Sequence, residues 1–111
     1  MSEPNVLDTK PVIAALGALA QESRLAIYRL LVQAGPAGMT PGKIAAELGI
    51  PPSSLSFHLK ELAHAQLITA TQDGRFLLYA ANFATVNGLI GFLTENCCAG
   101  QPCGQPGATT C

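Results

Sequence analysis

The chain is poor in charge. Only 12% of its 111 residues are charged, about half the ~25% of an average soluble domain. With a net charge of −1 there is no bulk electrostatic pointer to nucleic acid, whose binding domains are usually basic. Long apolar runs are missing too. No stretch approaches the roughly 18 residues that a membrane span needs, and Met1 to Lys10 lacks the basic-then-apolar pattern of a secretory signal. A cytoplasmic location is therefore expected. Histidine occurs only as His58 and His64, and there is no C-x-x-C pair. That leaves little material for a thiol enzyme, which needs an acid or base beside its nucleophile. Cysteine is absent from the first 96 residues; all four fall at Cys97, Cys98, Cys103 and Cys111.

Apolar residues, in contrast, are plentiful, at 49% of the chain. A chain of this length allows one domain with a modest core. So much apolar surface on so small a unit points to an oligomer, most simply a twofold dimer.

Val12, Ile13, Leu16 and Leu19 recur at helical spacing, so a helix is expected from Thr9 to Ala20, with Pro11 in its first turn. A second runs from Ser23 to Ala34. There Leu25, Tyr28 and Leu31 form one stripe and Ile27, Leu30 and Ala34 another, the pattern of a central helix buried on two sides. Thr40 before Pro41 gives an N-cap with proline at the first helical position, and that short helix ends at Leu48-Gly49. After Ile50-Pro51-Pro52 comes a helix carrying Leu55, Leu59 and Leu62. Two short helices across a tight turn make a helix-turn-helix, whose second helix enters the major groove. Leu67 to Gln72 and Arg75 to Ala80 then read as strands, joined at Asp73-Gly74, where both turn positions favour positive φ. Asn82 is expected to cap a last helix with Val86, Leu89, Ile90 and Leu93 on one face, ending near Asn96. The plan is mainly α with a β-hairpin wing: α1-α2-α3-α4-β1-β2-α5. Residues 1–8 read as a flexible start, 9–96 as the domain, and 97–111, rich in Gly and Pro, as a flexible tail.

This order of elements, with Leu55-Ser56-Phe57-His58-Leu59-Lys60 and Glu22-Ser23-Arg24-Leu25, resembles the ArsR/SmtB family of metal-responsive repressors over about residues 9 to 98. The resemblance implies a winged-helix homodimer in which the first and last helices pair across the twofold axis. It also implies binding to an inverted-repeat operator in double-stranded DNA. Ser53, Ser54, Ser56 and His58 are the candidate contacts near the start of the recognition helix. Lys60 and Lys43 are candidates for neutralising phosphates, and Arg75 at the wing tip for reaching the flanking minor groove. Some of these have a plainer reading: helix capping for the serines, a solvated charge for Lys60, a neutral histidine against the core for His58. His64 is read as structural. Pro51, Pro52 and Phe57 depart from the family pattern and reduce the expected DNA contacts. With few basic residues, the salt dependence of binding should be shallow.

Two of the family's sensor sites are missing from this sequence. Gly42 to Leu48 holds no cysteine, which removes the arsenic site of the first helix of the helix-turn-helix. Asn82 to Leu93 holds no Asp, His or Glu, which removes the zinc-type site. What remains is Cys97, Cys98 and Cys103, similar to arsenic-responsive members whose cysteines follow the last helix. Adjacent Cys97 and Cys98 would make a strained disulfide with each other, and reduced thiols suit soft ions. Trivalent arsenic and antimony take three sulfur ligands, and binding must displace the thiol protons. No permanent cofactor is expected; arsenite or antimonite is the expected effector, with Cys111 as an optional extra ligand. The sequence also leaves room for a four-thiolate zinc site, an inert tail, a redox switch through the same thiols, or a thiol metal-trafficking protein.

Overall fold

Thr40 does what its place before Pro41 predicts: its side-chain oxygen accepts from the Lys43 amide and starts a helix. The computed structural model describes residues 8–95 and contains α1 (Thr9–Leu19), α2 (Glu22–Ala34), α3 (Pro41–Leu48), α4 (Pro52–His64), β1 (Ile68–Asp73), β2 (Phe76–Ala81) and α5 (Phe83–Leu93). The order is the expected one. Residues 1–7 and 96–111, and with them Cys97, Cys98, Cys103 and Cys111, lie outside the described residues.

α2 is central and packs on α1, α3, α4 and β2. Its buried side chains are Ile27, Tyr28 and Leu31, whereas Leu25 is 44% exposed and Ala34 is exposed. Both stripes thus reach the core, one through Tyr28 and Leu31 and the other through Ile27 and the partly buried Leu30, while Leu25 and Ala34 stay outside it. Ile27, Leu31, Ile44, Leu55, Leu62 and Leu67 form the fully buried centre; each such side chain contributes about 1.5–3 kcal/mol by leaving water. Arg24 closes the α1–α2 corner, its Nε donating to the Ala18 carbonyl at 2.7 Å, which satisfies an acceptor left over at a helix end.

The α3–α4 turn is Gly49-Ile50-Pro51. Gly49 takes a left-handed conformation (φ 65°, ψ 35°) and its amide returns to Ala45, a conformation that glycine adopts without steric penalty. The wing differs from expectation by one residue. Asp73 pairs with Phe76, so the turn is Gly74-Arg75 instead of Asp73-Gly74, and within it only Gly74 has positive φ. Glycine first in a two-residue loop is the arrangement in which one positive φ suffices. The strands end accordingly at Asp73 and start again at Phe76.

At the wing's base Ile68 and Ala81 are buried, while the rest of β1 is exposed, so the hairpin stands out from the body. Met39 ties the α2–α3 loop to β2 through two backbone bonds with Tyr79, each 2.9 Å. Gly38 makes this possible: a Cβ there would sit 2.6 Å from the Tyr79 carbonyl oxygen.

In α1 and α5 the apolar residues divide between the domain's own core and its surface. In α1 the buried residues are Val12, Ala15 and Ala18, while Ile13 and Leu16 are 62% and 40% exposed. In α5 the buried set is Thr85, Gly88 and Leu89, leaving Ile90 and Leu93 44% and 60% exposed. The small side chains allow close packing inside the domain, and the large ones face outward. Asn82 stands at the N-cap of α5 without capping it. Its Nδ2 instead donates to the Gln66 carbonyl at 3.0 Å, which also accepts from the Thr85 hydroxyl at 2.6 Å. Gln66, at φ 66°, turns this carbonyl out of the α4–β1 corner, where it needs a donor.

Candidate nucleic-acid interface

α4 begins with proline on both sides of its start, Pro51 at the N-cap and Pro52 at the first position, and no side chain caps it. The serine hydroxyls are therefore not used as caps. The first-turn amides of Ser53 and Ser54 lack intrahelical acceptors, a geometry suited to a phosphate at a helix N-terminus. Leu55, Leu59 and Leu62 bury one face of α4. Turning by the helical period puts Ser53, Phe57 and Lys60 on the opposite face, and all three are exposed, as are Ser54 and Ser56.

His58 stands apart from these. It is half-buried, and its Nδ1 is buried without a hydrogen-bond partner among the described residues. Its ring meets that of Phe57 edge-on, with centroids 5.8 Å apart and planes at 62°. Lys43 is exposed on α3, and Arg75 is exposed within the wing turn. The structure thus places the serines, Lys43, Lys60 and Arg75 on free surface and turns His58 toward the core.

Sequence reasoning passed over two aromatics. Phe57, read there only as a departure from pattern, is 56% exposed at the middle of the outward face, and Phe76, beside the turn, is 64% exposed. The signal for Phe57 was its spacing, two residues from Leu55 and Leu59, which puts it opposite the core. At the far end of α4, Glu61, His64 and Ala65 line a cavity of about 330 Å³ with Ala14, Gly17, Ala18 and Arg24.

Among the described residues no three His, Cys, Asp or Glu side chains gather as a metal site. No helix there is long and apolar enough to cross a membrane.

This arrangement, two short helices across a glycine turn followed by a projecting hairpin, is a winged helix-turn-helix. Residues 19–70 match a family model described as a helix-turn-helix domain. No curated protein matches the chain. Among solved structures, an ArsR-like transcriptional regulator from Rhodococcus sp. RHA1 is similar at TM-score 0.71 and 24% identity, covering 78% of each chain. NolR from Sinorhizobium fredii is similar at TM-score 0.62 and 27% identity, over 86% of this chain and 95% of its own. A homodimeric winged helix-turn-helix DNA-binding domain from Mycobacterium bovis is similar at TM-score 0.62 and 22% identity, over 86% and 89%. The matched domain and these folds together show that the chain contains a helix-turn-helix domain within a winged helix-turn-helix fold.

Proposed function

We propose that this protein is a homodimeric repressor that binds an inverted-repeat operator and releases it when trivalent arsenic or antimony is bound by Cys97, Cys98 and Cys103. The observation that carries the reading is the pairing of a free recognition face on α4 with a cysteine cluster that starts four residues after α5 ends at Leu93. Large apolar side chains left exposed on both α1 and α5 support a dimer through these helices. The similar domain from Mycobacterium bovis is itself described as homodimeric.

Three thiolates fit a trivalent thiophilic ion, since soft sulfur ligands select soft ions. Closing them around the ion restrains the chain directly after α5. Where α5 pairs across the dimer, that restraint shifts one recognition helix relative to the other. Half-sites lie about one helical turn of DNA apart in such dimers, so a small shift costs affinity. Linkage requires DNA to weaken effector binding by the same factor. At the resting operator, Ser53, Ser54 and Ser56 meet phosphates and base edges, Lys43 and Lys60 neutralise phosphates, and Arg75 reaches the flanking minor groove.

The test is fluorescence anisotropy of labelled duplex from upstream of the gene, titrated with reduced protein and then arsenite. A variant with Cys97, Cys98 and Cys103 changed to serine is run alongside. Wild type should bind and be released by arsenite, while the variant binds and stays bound. Release of wild type by cadmium, zinc or peroxide but not by arsenite would give the same thiols a different signal. Failure of both proteins to bind at any salt concentration would favour a metal-trafficking role.

A further inference from the structure

The outward face of α4 presents one apolar group among polar ones. Phe57 is 56% exposed, with exposed Ser53 and Lys60 on its own face and exposed Ser56 beside it. This is not a contiguous apolar patch of the kind a protein partner covers. It is a single aromatic ring at the centre of the face that a recognition helix presents to the major groove. There the base edges offer hydrogen-bond donors and acceptors and one apolar group, the 5-methyl of thymine. The ring is also braced, since its contact with His58 sets it against a half-buried side chain.

We propose that Phe57 is a specificity-determining residue that reads a thymine 5-methyl group in each operator half-site. The inference rests on the reading of α4 as the recognition helix and adds to it a base and an atom. Ser53 and Lys60 position the helix by polar contacts, and Phe57 selects thymine by removing its methyl from water. Burying one methyl-sized group is worth about fourfold in affinity, hence roughly fifteenfold for two half-sites.

The experiment selects duplexes from a randomised pool with the full wild-type chain. Each thymine of the selected half-site is then replaced by uracil, which deletes only the methyl. Wild type, Phe57→Ala and Phe57→Leu are titrated against the thymine and uracil duplexes. Wild type should lose about fifteenfold at one symmetric pair of positions; Phe57→Ala should bind both duplexes equally, and Phe57→Leu should keep part of the preference. Because Phe57 is exposed, the alanine variant is expected to keep its fold, which circular dichroism checks. Wild-type indifference to every uracil, or unchanged discrimination in Phe57→Ala, overturns this inference and leaves the regulator reading standing. If wild type selects no duplex at all, the regulator reading fails and this inference with it.

Discussion

Tyr28 is 5% exposed and its hydroxyl has no hydrogen-bond partner among the described residues. A buried unpaired hydroxyl costs stability, so Tyr28→Phe is expected to leave the fold unchanged or strengthen it by up to about 1 kcal/mol at neutral pH. Burial also pushes the Tyr28 pKa up from 10.0, because the phenolate would be poorly solvated in the core. The unfolded chain then releases this proton first. The Tyr28 contribution is therefore present below about pH 10 and is lost as pH rises through the folded pKa. Urea unfolding of both proteins near pH 7 and above pH 10 checks both points: the wild type should lose more stability on going alkaline. A clear destabilisation by Tyr28→Phe at neutral pH would mean that the hydroxyl has a partner.

Among the elements, the join between α4, the wing and α5 carries a polar latch that helical periodicity does not reveal. The Gln66 carbonyl accepts from the side chains of both Asn82 and Thr85, and the Asn82 backbone N–H donates to the Leu67 carbonyl at 2.8 Å. Thr85→Val keeps shape and removes one donor, and should cost about 1 kcal/mol. Asn82→Ala should cost a similar amount. The double variant should cost more than the sum, because the carbonyl then loses both donors; urea titration of the three variants measures this. Helices were legible in the sequence because their caps and periods are local: Thr40-Pro41, Gly49, and Leu55-Leu59-Leu62. The wing turn was read one residue early because Asp73-Gly74 and Gly74-Arg75 both satisfy local turn chemistry, and cross-strand pairing decides between them. Asn82 was misread for a related reason. A cap-forming residue sits in the right place, but a carbonyl 16 residues earlier in the chain takes its side chain.

For the whole molecule, the exposed Ile13, Leu16, Ile90 and Leu93 are the apolar surface that the proposed homodimer would cover. Leu93→Glu places a charge that would have to be buried in that interface, an arrangement that is strongly unfavourable when unpaired. Self-association is expected to weaken by at least about tenfold, roughly 1.4 kcal/mol. Sedimentation is expected to show a dimer for wild type and a monomer for Leu93→Glu, with operator affinity falling in parallel. A Leu93→Glu protein that remains dimeric would move the interface elsewhere.

By itself the sequence determined the order of elements, the helix-turn-helix and its wing, and the clustering of Cys97, Cys98 and Cys103, because caps, turn residues, hydrophobic period and residue spacing are local properties. Only the tertiary structure decided which apolar residues of α1 and α5 pack inside and which stay out. Periodicity marks a helix face as apolar but does not say whether its own domain covers it. Tertiary packing likewise turned His58 inward, left Phe57 exposed on α4, and gave Asn82 and Thr85 a shared acceptor. Those outcomes depend on contacts between residues far apart in the chain, and no local rule sets them.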